Sequence, residues 1–258
     1  MKAIALTFDY DLDKMKTNGR FWADNVYRRS ASDIFKYSAA SYATFVDKNP
    51  NTPLILYSND VELMKECMEE YDVSFDTITY VDYTKEIIES KKHHFTFQPL
   101  VDWLYDTDDP DEYIVRIDND LIWTKEIPPL NEDKDVLVWK YERVVRQGNP
   151  AMGEILVCQT VCNNIDFKEY NVGVLGYPKN YPMKEFYDVC NEMSSVDITT
   201  VSDLGTHVWH VCEQTAQCWI LHKHNYNVIE THSYVEHWYE DKMKCVDRAK
   251  FLLKTEKV

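Results

Sequence analysis

The triplet Asp118-Asn119-Asp120 is where this chain most plainly offers chemistry. It follows directly on the apolar run Tyr113-Ile114-Val115-Arg116-Ile117 and precedes Leu121-Ile122-Trp123. Two carboxylates one residue apart can both reach one hard divalent cation, directly or through water. A cation held there would bridge the two phosphates of a nucleoside diphosphate and stabilise it as a leaving group. A solvated turn would use the same residue types, and Asp9-Tyr10-Asp11 and Asp11-Leu12-Asp13 share the spacing. Position after a strand favours the site reading for Asp118-Asn119-Asp120, because the strand holds the backbone rigid at the mouth of a crevice.

The elements that must position the triplet follow from the pattern. Lys2 to Phe8, Pro53 to Ser58, Thr77 to Val81, Tyr113 to Ile117 and Asp135 to Lys140 read as buried strands. Helices are expected over Ser30 to Val46, Val61 to Tyr71 and Phe95 to Tyr105, from apolar residues at helical spacing. This β/α alternation predicts a mostly parallel sheet with helices on both faces. Ligands in such sheets sit at the carboxyl ends of the strands. The second half is less regular. Tyr170 to Tyr177 reads as a strand, and Met183 to Met193, Asp203 to Cys218 and Met243 to Leu253 as helices. Trp219 to Leu221 and Asn227 to Ile229 read as short strands or loops. No linker or repeat divides the 258 residues, so a single domain is expected.

Composition narrows the function. Lys and Arg total 28 against 44 Asp and Glu, a net charge of −16. Such a surface repels nucleic-acid backbones and anionic membranes. With 6 glycines and no Gly-rich phosphate loop, phosphates must be held by metal or side chains. The opening Met1 to Asp9 is too short and too soon acidic for a signal peptide. No apolar run approaches the roughly 18 residues of a membrane span. Seven cysteines without a dense framework suit reduced thiols. A soluble, cytoplasmic chain is expected, in the host cytoplasm if viral.

The stretch from Tyr113 to Leu121 resembles the metal-binding strand end of GT-A nucleotide-sugar glycosyltransferases. It is most similar to the group of glycogenin and the lipopolysaccharide galactosyltransferases. Lys91-Lys92-His93-His94-Phe95 stands where that group has a Lys- and aromatic-containing helix. Tyr170-Asn171-Val172-Gly173 resembles its Asn-x-Gly strand, and Glu213-Gln214 its acidic-Gln helix start, with Glu in place of Asp. His237 to Lys242 resembles its late His-to-Lys segment, without the Gly and Pro. The compact form is similar to small viral or microbial glycosyltransferases.

The resemblance implies one GT-A domain over 1–258, with a nucleotide-binding half (1–123) and an acceptor-binding half (124–258). It implies transfer of a sugar from a nucleoside diphosphate donor, UDP first, to a glycan or glycoprotein. Mn²⁺ or Mg²⁺ would be held by Asp118, Asp120 and His237, with His232 as the alternative. Thr7, Asp9, Tyr10, Asn119, Asn171, Gly173 and Gln214 would meet the nucleotide sugar. Lys91, Lys92 or Lys242 would add positive charge beside the leaving phosphate. Glu213, with Asp203 behind it, would be the base if the reaction inverts.

Other readings compete. Asp9 and Asp11 also resemble the nucleophile and acid of haloacid dehalogenase-type phosphatases. A non-catalytic nucleotide-sugar-binding module would keep the same fold. A sugar-nucleotide pyrophosphorylase would need a Gly-rich loop after the first strand, which is missing. His207, His210, Cys212, Cys218, His222 and His224 match no zinc spacing and read as core or surface residues. Cys158 and Cys162 read as small hydrophobes. Trp238, Tyr239 and Tyr234 suit either a sugar platform or the core. Arg143 and Arg146 suit phosphate, acceptor or surface charge balance.

Overall fold

Alternation along one strand sets the layout. The computed structural model describes residues 1–7, 31–82, 112–145, 152–196, 205–238 and 241–255. Its first strand, β1, spans Lys2–Thr7. Ala3 and Ala5 enter one core, Ile4 and Leu6 the other. Successive strand side chains must face opposite ways, so both faces of β1 are covered.

Six further strands complete the sheet: β2 (Leu54–Ser58), β3 (Ile78–Asp82), β4 (Ile114–Ile117), β6 (Asp135–Val144), β7 (Lys168–Tyr177) and β8 (Asn227–Glu230). The order is β3-β2-β1-β4-β7-β6-β8. The run from β3 to β4 is parallel, as is β6 with β8, while β7 runs antiparallel to both neighbours. The expected mostly parallel α/β sheet is therefore present, with one reversed strand at its centre. A separate ribbon pairs β5 (Leu121–Trp123) with β9 (Val235–His237).

Helices α1 (Ala31–Lys48), α2 (Val61–Met68) and α6 (Lys244–Thr255) contribute to the core beside Ala3 and Ala5. Helices α3 (Met152–Val161), α4 (Met183–Ser195) and α5 (Gly205–Lys223) contribute to the other. α1 is buried nearly all round, from Phe35 to Val46. Ala39, Ala40 and Ala43 let neighbouring elements approach it closely, and its OH-bearing residues bond inward. Thr44 Oγ1 accepts from Trp123 N–H at 3.1 Å, and Asn49 Oδ1 from Ile127 N–H at 2.8 Å. These two bonds tie α1 to β5 and the chain beyond it.

One local expectation changes, and two others take their definite form. Trp219-Ile220-Leu221 is the last part of α5, not a strand or loop. Ile220 and Leu221 enter the same core as Ala216 and Cys218, so the helix gains burial by continuing. It stops where Asn225, at φ 53°, adopts the left-handed cap conformation. Asn227–Glu230 is a strand on the sheet edge. Cys158 and Cys162 lie on α3 and just after it, both buried. The helix expected over Phe95 to Tyr105 lies outside the described residues. No described helix is long and apolar enough to cross a membrane.

Asn49 is 2% exposed, and its amide also donates to Phe45 O at 3.0 Å. Asn49→Ala strands the Ile127 N–H and is expected to cost about 1–3 kcal/mol. Urea unfolding of the two chains measures it; an unchanged midpoint would show that this tie carries no stability.

Candidate functional site

The site begins where β4 ends. Asp118 N–H donates to Gly173 O at 2.8 Å, continuing the β4–β7 ladder by one bond. Ser41 of α1 caps Asp118 O at 3.2 Å. The chain then turns through Asn119, half-buried, and enters β5. In the ribbon, Leu121 lies opposite His237, and Trp238 N–H donates to Asp120 O at 3.0 Å. That register sets the His237 ring against Asp120.

Asp120 is 2% exposed and gathers two partners. His237 Nε2 lies 3.1 Å from its Oδ1, and Lys242 Nζ 2.8 Å from its Oδ2. Trp139 packs edge-on against the His237 ring, with centroids 4.9 Å apart. Asp118 Oδ1 is buried and accepts no hydrogen bond; Arg116 Nη2, itself buried, is 3.9 Å away. The two carboxyls differ accordingly. Burial pushes Asp118 up to about 6, against the pull of Arg116, and the Asp120 charge adds to the rise. Burial acts the same way on Asp120, but Lys242 and His237 outweigh it and hold that carboxyl below the usual range. His237 loses basicity through burial and regains more from Asp120, so its net shift is upward.

Asp118, Asp120 and His237 each offer a ligand atom, all within 4.8 Å of one another. Two carboxylates and an imidazole, with one buried carboxylate oxygen lacking a hydrogen bond, are a donor set that fits a divalent cation. His232, the alternative ligand, pairs with Glu230 at 3.4 Å instead.

Gly173 explains why a glycine stands in the Asn-x-Gly segment. A Cβ there would lie 2.9 Å from His237 Cε1 and 3.1 Å from Nδ1. Only a bare Cα lets β7 pass beneath the imidazole. Asn171 sits beside it: its Oδ1 accepts from Gly173 N–H at 3.0 Å and its Nδ2 donates to Glu142 at 3.2 Å. Gln214 donates to the same Glu142 at 3.3 Å and to Glu169 at 3.1 Å.

Thr7 is fully buried, and its hydroxyl bonds the Tyr42 hydroxyl at 2.8 Å, so its side chain is engaged in the core. Arg143 is not a surface charge: it pairs with the wholly buried carboxylate of Glu169. Trp238 packs against the core and donates to Glu236. Asp9, Tyr10, Asp11, Lys91, Lys92, Arg146, Asp203 and Tyr239 lie outside the described residues. Glu213 belongs to α5, but its side chain lies outside them too. Among the described members of the His/Cys set, His222 and His224 meet Asn164 and Glu185, and Cys218 contacts Tyr170. Sequence reasoning missed Glu142, Glu169 and Arg116, whose partners lie far along the chain or follow a strand end, so no short window singles them out.

No protein-family model and no curated protein sequence matches the chain. Solved structures do. The galactosyltransferase LgtC, in complex with donor and acceptor sugar analogues, aligns over 99% of this chain and 96% of its own. The TM-score is 0.55 at 9% identity. Mouse xyloside xylosyltransferase 1, in its apo form, aligns over 89% of this chain and 84% of its own, with TM-score 0.48 and 11% identity. The LgtC likeness, with the sheet order above, establishes the GT-A glycosyltransferase fold.

Gly173→Ala forces the His237 ring away from Asp120. Mn²⁺ affinity in the presence of UDP, read from the electron paramagnetic resonance of free Mn²⁺, is expected to fall about 10- to 100-fold. Unaltered affinity would remove His237 from the ligand set.

Proposed function

We propose that this chain is a metal-dependent glycosyltransferase, moving a sugar from a nucleoside diphosphate donor, UDP first, to a glycan or glycoprotein. The observation that carries the reading is the convergence of Asp118, Asp120 and His237 at the carboxyl end of β4. The GT-A fold supports it. The LgtC structure itself holds donor and acceptor sugar analogues.

On this reading Asp118, Asp120 and His237 hold Mn²⁺ or Mg²⁺. The bound cation supplies Lewis-acid stabilisation of the departing diphosphate. Lys242, now on Asp120, would meet the same phosphates. Gln214 and Asn171 border the transferred sugar, and Gly173 keeps the floor low enough for His237. Asp9, Tyr10, Lys91, Lys92 and Asn119 complete the nucleotide-sugar contacts, with Glu213 and Asp203 as base and support if the reaction inverts. One domain serves both halves, with 1–123 toward the nucleotide and 124–258 toward the acceptor. A reducing, cytoplasmic setting agrees with the six free, buried thiols among the described residues. Nothing among the described residues favours the phosphatase reading, whose Asp9 and Asp11 lie outside them.

Two experiments test this. Asp120→Ala is expected to abolish Mn²⁺-dependent transfer while the chain stays folded, because half of the carboxylate clamp is gone. Transfer at the unaltered rate would sink the assignment. A thermal melt with UDP, GDP and CMP, each with and without Mn²⁺, reads the donor class. Saturation at 100 times Kd stabilises by about 2.7 kcal/mol.

The pH dependence follows from Asp118. Its raised position means that below pH 6 it carries a proton which must leave before it can bind a cation. His237, raised above its ordinary value, also carries a proton there, so with two protons to release the affinity for Mn²⁺ with UDP is expected to fall by up to about a hundredfold per pH unit as pH drops below 6. A flat profile from pH 7 down to pH 5 would contradict this placement of Asp118.

A further inference from the structure

Glu142 and Glu169 do something the metal set does not require. They sit on β6 and β7, and both reach the amide of Gln214 on α5. Ionised carboxylates only accept hydrogen bonds. The end of Gln214 that faces them must therefore be the NH₂ group. Nε2 lies 3.3 Å from Glu142 Oε2 and 3.1 Å from Glu169 Oε1, so each amide hydrogen has its own acceptor. A planar amide then directs Oε1 away from both carboxylates.

The same logic fixes Asn171. Its Oδ1 takes the Gly173 N–H, a donor, and its Nδ2 gives to Glu142 Oε1 at 3.2 Å. Glu142 thus spans two amides with its two oxygens. Glu169 is held from behind by the Arg143 guanidinium on its Oε2, and is itself wholly buried. The network abuts the metal set through Gly173: the Cβ position there is 3.3 Å from Asn171 Oδ1 and 2.9 Å from His237 Cε1. Donating both hydrogens to anions also polarises the Gln214 carbonyl, making Oε1 a stronger acceptor.

We propose that Glu142, backed by Glu169, is a positioning residue that locks the Gln214 amide so that its carbonyl oxygen, not its NH₂, faces the donor sugar. The proposal rests on the glycosyltransferase reading for what Gln214 faces; the lock itself rests on the hydrogen-bond geometry. Glu142 is exposed, so its replacement leaves the core intact.

The test compares Glu142→Ala and Glu142→Gln with the unaltered chain. Without Glu142 the amide keeps Glu169 as its single anchor and can swing about that one hydrogen bond, and misorientation at a reacting centre costs on the order of 100-fold in rate. In Glu142→Ala, kcat for sugar transfer is expected to fall about 10- to 100-fold, with KM for the donor within about twofold. The Mn²⁺-dependent melting shift with UDP should remain. Glu142→Gln has one carbonyl oxygen to share between two amides and should fall between the other two chains.

A second readout needs no activity. In chains carrying ¹⁵N in glutamine side chains, the Gln214 amide pair is assigned by its loss in Gln214→Leu. It is expected to shift in Glu142→Ala. An unmoved pair overturns the lock, whether or not the chain transfers sugar. A moved pair with unaltered kcat overturns the positioning role. An unaltered chain with neither transfer nor a Mn²⁺-dependent nucleotide shift overturns the function, and with it what Gln214 is said to face. The amide signal then still decides the lock.

Discussion

Two buried carboxylates one residue apart are the constraint around which this molecule is arranged. Like charges removed from water cost free energy unless cations or hydrogen bonds meet them. Here the compensation comes from three separate stretches of chain. Arg116 reaches Asp118 from within β4, His237 reaches Asp120 from β9, and Lys242 from the segment before α6. The last two depend on the ribbon register and on the chain that leads into α6. Unequal surroundings also split the carboxylate pair: Asp118 is raised and Asp120 lowered. Environments that push two titratable groups apart mark a site built to act.

The reversed strand β7 does the second part of the work. Because it runs antiparallel between β4 and β6, its middle, rather than its carboxyl end, passes the tip of β4. Asn171 and Gly173, two residues apart, are thereby delivered beside Asp118. The Asn171 side chain closes on Gly173 N–H, a local turn that stiffens the strand at the point where it must carry no side chain. The same reversal places Glu169 opposite Arg143, so the wall behind Gln214 and the floor beneath His237 belong to one strand pair.

What the sequence made legible was whatever a short window can contain. β1, β2 and β4 are near-continuous apolar runs because both faces are covered, and Asp118 and Asp120 follow β4 without a gap. The residues that failed to declare themselves depend on partners far along the chain. The β5 and β9 strands are three residues each, too short to show a period. His232 and His237 lie in one polar stretch, and only the pairing of Leu121 with His237 distinguishes them. Glu169 in Lys168-Glu169-Tyr170 reads as a solvated position, yet its carboxylate is wholly buried because Arg143 lies across the ladder. Thr7 declared its strand end but not its side-chain partner: only the fold brings the Tyr42 hydroxyl onto it.

Charge balance gives the site a direction under the proposed function. Asp118 and Asp120 are matched by Arg116 and Lys242, with the imidazole of His237 between them. A lone divalent cation would convert this neutral set into a buried positive one, at a desolvation cost that two carboxylates already paired with cations do little to offset. A cation arriving with a diphosphate brings its own negative charge. Lys242 can then leave Asp120 for a phosphate, freeing a carboxylate oxygen as it neutralises the incoming anion. The chain's surplus of acidic residues pushes the same way, since a bare nucleotide is repelled where its metal complex is not. On the proposed function the ammonium on Asp120 would hold a place in the metal-free chain, stabilising the carboxylate until a ligand carrying both charges replaced it.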